Sequence, residues 1–273
     1  GMGNRIVNDL LINRTNPQTL IAGTNFGIYV THNGGESWIR AKSGDFWDLE
    51  YKPGDTTTVY GALGGSFYRS LDGGNSWSSS SLPISSSRTA IAVTPANPNV
   101  VYGVLSSGDY FAGFVKSSNS GETFDLQSTE PNILGYDWAG NDNRGQAWYD
   151  LCMAADPNDE NTVYVGGINV WSSSNGGQTW NIEGHWTSNI HADQHIMEYN
   201  PINGKLIVGN DGGIYEKGSG KDSWIDHSNT LAISQMYKIG QSAQSANLVM
   251  AGYQDCGTST FTSSGWLQSI GGD

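Results

Sequence analysis

The sequence predicts an all-β protein, a β-propeller of four-stranded antiparallel blades in about six repeats, with the last repeat expected to be incomplete. Three observations lead there. An eight-residue phrase, Thr31-His-Asn-Gly-Gly-Glu-Ser-Trp38, recurs along the chain as Ser70–Trp77, Ser117–Phe124 and Ser173–Trp180, with a degraded copy ending at Ser223-Trp224. Its closing aromatics are spaced by about 46 residues on average, the length of one propeller blade. Glycine is in excess, 37 of 273 residues, nearly twice the usual ~7%, alongside 10 Trp and 13 Tyr. Many tight turns joined to aromatic-rich short strands read as all-β.

Each unit repeats one grammar. A short apolar strand comes first: Ile6–Ile12, Phe46–Tyr51, Ala90–Val93, Leu151–Ala155 and His195–Tyr199. A proline-containing turn follows at Pro17, Pro53, Pro95/Pro98, Pro157 and Pro201. A β-branched strand ending in small residues is next, as in Leu20–Gly23 or Val163–Gly166. A glycine turn then leads into a third strand and the phrase. A sixth unit begins at Ile233–Ile239 and Leu248–Gly252. The units span approximately 4–43, 44–82, 83–130, 145–185, 190–228 and 229–273, with a long insertion at 128–148. In the phrase, Asn33, Asp72, Asn119 and Asn175 are placed to bond amides of their own turn. The glycines supply positive φ. Trp38, Trp77, Phe124 and Trp180 are expected to pack sideways on a neighbouring blade. These residues are read as structural.

Composition excludes several functions. Thirteen basic against 26 acidic residues give a net charge of −13, opposite to what phosphate neutralisation on nucleic acid requires and unsuited to anionic membranes. No apolar run approaches the ~18 residues of a spanning helix. Cys152 and Cys256 lie in different repeats and make no disulfide framework. There is no phosphate loop, dinucleotide fingerprint, His-Glu-x-x-His or Gly-x-Ser-x-Gly. Gly1-Met2-Gly3 reads as a start placed before an internal residue, with a leader expected outside this sequence.

The recurring phrase resembles the Asp-box, or BNR repeat, Ser-x-Asp-x-Gly-x-Thr-Trp. Families sharing it include sialidases, xyloglucan-degrading endoglucanases, sortilin-like receptors and photosystem assembly factors. Gly145–Asp150, His191–His195, Gly209–Gly213 and Gly252–Gly257 are most similar to secreted Bacteroidetes-type BNR-repeat proteins labelled glycosyl hydrolases. Gly271-Gly272-Asp273 fits the start of a motif of the same group, and Cys256 stands where that group has Asn. The resemblance implies a secreted or cell-surface, carbohydrate-active or carbohydrate-binding protein whose partner is a polysaccharide or glycan. It also implies a second propeller lobe or a protein partner, and family members are longer. Sialidase activity is not expected: the six arginines are scattered and the sialidase Phe/Tyr-Arg-Ile-Pro signature is absent.

Candidate chemistry lies where the repeat is broken. In an extended His191-Ala-Asp-Gln-His195, alternate residues share one side, so two imidazoles and Asp193 suit a metal site, an acid–base pair, or a hydrogen-bonded lock between strands. Asp211, in Asn210-Asp-Gly-Gly213, and Asp255 one unit later occupy corresponding turns, with Asp273 a third candidate. Converging carboxylates serve calcium, glycoside hydrolysis, or simple Asx-turns. The candidate catalytic set is therefore Asp193, Asp211 and Asp255, tuned by His191 and His195. The insertion supplies Tyr136, Trp138, Trp148, Tyr149 and Asp150 as ligand contacts, and Asp137 and Asp142 as a weak calcium pair lacking EF-hand spacing. No cofactor is required by this reading, and calcium is an ion it admits. The alternative function is a non-catalytic adhesion or protein-interaction scaffold.

Overall fold

A computed structural model describes residues 1–231, 233–245 and 248–271. Among these described residues, twenty-four strands form six four-stranded sheets, each an antiparallel meander of consecutive strands. The first strands are Val7–Ile12, Asp48–Tyr51, Arg88–Val93, Cys152–Ala155, Gln194–Tyr199 and Met236–Gln241. Over the first five sheets, each first strand packs against the next. This places them along a common channel with the sheets radiating outward.

The core lies between sheets. Ile21, Ile28 and Val30 of the first sheet meet Phe46, Leu49 and Val59 of the second. Tyr60 and Phe67 meet Ile91, Val101 and Phe124. Tyr102 and Phe114 meet Val163, Trp171 and Trp180, with Ile133 and Leu134 of the insertion. Val170 meets Met197 and Val208. The fifth sheet instead exposes Ile196, Ile214 and Ile225, and the first strand of the sixth is exposed along its length.

The repeated phrase builds the same turn four times. Ser70 Oγ donates to Asp72 Oδ1 at 2.8 Å and accepts from Gly74 N at 2.8 Å, while Ser76 N donates to Asp72 Oδ1 at 2.8 Å. Equivalent bonds join Thr31, Asn33 and Ser37, Ser117, Asn119 and Thr123, and Ser173, Asn175 and Thr179. The second glycine is required twice over: at Gly121 φ is +76°, and a Cβ would stand 2.5 Å from Phe67 of the preceding sheet. In two copies the closing aromatic packs on the preceding sheet, Phe124 on Phe67 at 4.7 Å and Trp180 on Phe114 at 4.9 Å.

Carboxylates also tie the channel strands together. Asp9 Oδ2 accepts Leu49 N at 2.7 Å, and Asp48 Oδ2 accepts Ile91 N at 2.7 Å. Each binds the backbone of the next blade. Burial, then repulsion from Asp9, raises the Asp48 carboxyl above its ordinary range.

The sixth unit differs from the sequence expectation of an unfinished repeat. Gly257–Thr262 and Gly265–Ile270 pair as its third and fourth strands. Their connection is a tight turn at Thr262–Gly265 in place of the phrase, so the sequence carries no marker for the last strand. Asp273 lies outside the described residues.

Candidate functional site

The connections from each sheet's last strand to the next sheet's first strand lie at one end of the channel, with those between second and third strands. The phrase turns lie at the other end. His191–Asp193, Asp211, Asp255 and the insertion therefore all fall on the same face.

The insertion is pinned from within. Asp142 Oδ2 accepts Tyr136 N at 2.9 Å and Asp137 N at 3.2 Å, and its Oδ1 accepts Asn132 Nδ2 at 3.2 Å. Asp137 accepts the backbone amides of Ala139 and Asn141, which lower its carboxyl. Ile133 and Leu134 are buried beneath. Among the described residues, no group of three or more His, Cys, Asp or Glu side chains is arranged to hold a metal ion.

The five candidate catalytic residues converge, though not by simple alternation. Asp193 adopts φ +66°, a left-handed conformation that Asp tolerates better than most residues. The pairing register then shifts between Gln194 and Ile196. This kink and bulge replace the extended segment expected over 191–195. His195 Nε2 lies 2.7 Å from Asp211 Oδ1, and Tyr149 OH donates to Asp211 Oδ2 at 2.9 Å. The Tyr149 ring meets the His195 ring edge-on, centroids 4.8 Å apart. His191 Nε2 donates to the backbone oxygen of Asp255 at 2.8 Å, joining the fifth and sixth sheets. Burial raises the Asp193 carboxyl, as do the charges of Asp211 and Asp255, while His191 and His195 oppose the shift. Tyr149 is pushed up by burial and by its bond to Asp211.

Asp150 is buried and reaches the group through Gln146. Gln146 Nε2 donates to Asp150 Oδ2 at 3.0 Å and to Asp193 Oδ1. Burial lifts the Asp150 carboxyl to about 8, opposed by the Gln146 bond. Tyr136 OH donates to Gln146 Oε1 at 3.2 Å, and its ring carries the Arg144 guanidinium at 5.1 Å. Trp138 and Trp148 are the open aromatics, 64% and 65% exposed. Trp138 lies 5.0 Å from the His185 ring.

A cleft of about 550 Å³ opens beside this cluster, lined in part by Tyr149, Asp211, Ser228, Gln235, Gln254 and Asp255. Its size is that of a small-molecule or short-oligomer site. Sequence reasoning missed Gln146, which sits in a loop without periodicity. It also missed Trp186, 41% exposed on the same face, and Asn210, whose Nδ2 bonds the buried Gln194 at 3.0 Å.

Radiating four-stranded sheets around a channel, with a polar cleft on the loop face, define a β-propeller. No protein-family model matches the chain. A xyloglucanase from Paenibacillus sp. is 26% identical over 219 residues, which is 66% of this chain and 21% of that protein. An ancestral GH74 enzyme superposes with a TM-score of 0.64 at 18% identity, over 98% of this chain and 39% of the other. YCF48 bound to D1 peptide superposes with a TM-score of 0.55 at 15% identity, over 97% and 81%. The structural likenesses establish the propeller fold. The chain spans about a fifth of the curated xyloglucanase and 39% of the GH74 structure.

Proposed function

We propose that this propeller is the carbohydrate-handling part of a secreted glycoside hydrolase acting on a neutral β-linked polysaccharide, with xyloglucan the first to test. The supporting observation is the difference between two carboxyls of one loop face, of which Asp211 lines the cleft. Asp211 has both oxygens engaged, by His195 and Tyr149. Asp193 has one oxygen on Gln146 and is shifted toward its protonated form. Paired carboxyls held in unlike environments are the requirement for acid and base roles. In this reading Asp193 gives its proton to the glycosidic oxygen as the bond to the anomeric carbon breaks. A water attacks that carbon and passes a proton to the His195–Asp211 pair. The net reaction consumes one water and leaves two sugar ends. Trp138 and Trp148 offer apolar ring faces to neighbouring sugar units.

Release of reducing ends from soluble xyloglucan tests the proposal, with Asp193→Asn and Asp211→Asn as controls. Loss of at least ~100-fold in either variant is expected for a general acid or base. Unchanged rates in Asp193→Asn defeat the assignment. The second reading, a peptide-binding scaffold, is favoured by the likeness to YCF48 bound to D1 peptide. Peptide binding without glycan turnover selects it.

A further inference from the structure

Among the described residues, Gln146 is the one side chain that hydrogen-bonds both buried Asp150 and half-buried Asp193. It belongs to the connection before the fourth sheet. There its backbone oxygen accepts Tyr149 N at 2.7 Å and Asp150 N at 3.2 Å, which fixes the start of its side chain. The carboxamide orientation follows from its three partners. Its oxygen accepts Tyr136 OH, so its nitrogen faces the two carboxyls and gives one hydrogen to each. The flipped amide would set its oxygen against both carboxyls, a repulsive contact whenever either is ionised.

The two carboxyls are unlike. Asp150 is 1% exposed, and its Oδ1 is buried without a hydrogen-bond partner. A protonated Asp150 places its proton on that oxygen and leaves Oδ2 as a neutral acceptor for Gln146. Asp193 is half-buried and kinked into a left-handed conformation. Among the described residues, no hydrogen bond other than that from Gln146 holds its carboxyl.

We propose that Gln146 is the positioning residue of this site: oriented by Tyr136 and anchored on buried Asp150, it fixes the Asp193 carboxyl on the loop face. The functional value of this rests on the reading of Asp193 as the acid; the positioning itself does not. Donation from Gln146 favours the ionised carboxylate. It therefore offsets part of the upward push on Asp193 from burial and from Asp211 and Asp255, beyond what His191 and His195 supply.

The test is a carbon-13 titration of the Asp193 carboxyl in selectively labelled protein, assigned by the signal lost in Asp193→Asn. Gln146→Met keeps the side-chain length and removes both N–H donors. The Asp193 midpoint is expected to rise by about one pH unit. Tyr136→Phe removes one hydroxyl, frees the amide to rotate, and is expected to raise the midpoint by a smaller amount in a protein that melts normally. If xyloglucan is cleaved, the alkaline limb of the rate profile moves upward by the same interval, because the acid stays protonated longer. A structural role alone lowers the rate without moving that limb. An unmoved Asp193 midpoint in both variants overturns the inference. Activity retained in Asp193→Asn overturns the hydrolase reading and leaves the titration result standing.

Discussion

His195 and Asp211 are joined across the first two strands of the fifth sheet, Nε2 to Oδ1 at 2.7 Å, with the Tyr149 hydroxyl on the other Asp211 oxygen. Asp211 thus carries the imidazole contact on one side and a phenolic one on the other, and fixes the His195 ring. Bonds of this kind are worth about 1.5–3 kcal/mol. Asp211→Asn leaves His195 without its carboxylate and is expected to reduce turnover ~100-fold or more. Tyr149→Phe removes one neutral donor and is expected to cost ~10-fold. Parallel rate measurements on xyloglucan show whether the order holds, and equal losses contradict it.

Stability is expected to fall as pH rises from about 4 to about 8. Asp150 carries a carboxyl raised from 3.8 to about 8 in the folded state, and Asp48 is raised as well. Between those values the folded chain binds more protons than the unfolded chain, so rising pH favours unfolding. The contribution is complete below the unfolded value and gone above the folded one. One such group gives a slope of at most ~1.4 kcal/mol per pH unit. Melting curves from pH 5 to 8 measure it, and the slope is expected to flatten in Asp150→Asn.

Two glycines separate strain from collision. Gly54 has φ +77° with no atom near an added Cβ, and Gly177 has φ +89° with an added Cβ overlapping the Phe114 ring. Gly54→Ala pays only the left-handed penalty, ~1 kcal/mol. Gly177→Ala adds disruption of the joint between the third and fourth sheets and is expected to exceed 3 kcal/mol. Urea unfolding of both variants provides the comparison. Similar losses would show that the Phe114 joint adapts.

Trp138 and Trp148 are expected to matter for ligand and not for stability, because both rings are mostly solvent-exposed. Replacing either by Ala is expected to shift the melting point little and to weaken binding of a xyloglucan oligosaccharide about 3- to 10-fold, the scale of one aromatic contact. Calorimetric titration reads the affinity. Unchanged binding in the double variant moves the sugar track elsewhere on the face.

Local chemistry explains which parts of the molecule were legible in the sequence. The phrase at 31–38 and its copies encode a turn whose bonds lie within five residues, so composition and spacing reveal both turn and blade. The fourth strand of the last sheet was hidden because Thr262–Gly265 forms an ordinary tight turn. The convergence of Asp193, Asp211, His191 and His195 was legible as residue types in departures from the repeat. The means of convergence was not, since an Asp at positive φ has no periodic signature. Gln146 was invisible because its partners lie 4, 10 and 47 residues away. Asp9 and Asp48 did leave a trace: an acidic residue directly before a leucine in two first strands. Its meaning, a carboxylate capping the next strand's amide, needed the geometry.

The backward reach of Phe124 and Trp180 gives the molecule a direction. Every joint through the fourth-to-fifth contact is sealed by apolar side chains, whereas the sixth sheet leans on polar contacts such as His191 to Asp255. Neighbour-only stacking makes stability a chain of separate joints. Amide hydrogen exchange is then slowest in the second to fourth sheets and fastest in the sixth. Because that last sheet forms one wall of the cleft, an occupant bridging Asp211 and Asp255 acts as the missing mortar, and slowing of exchange there reports its arrival.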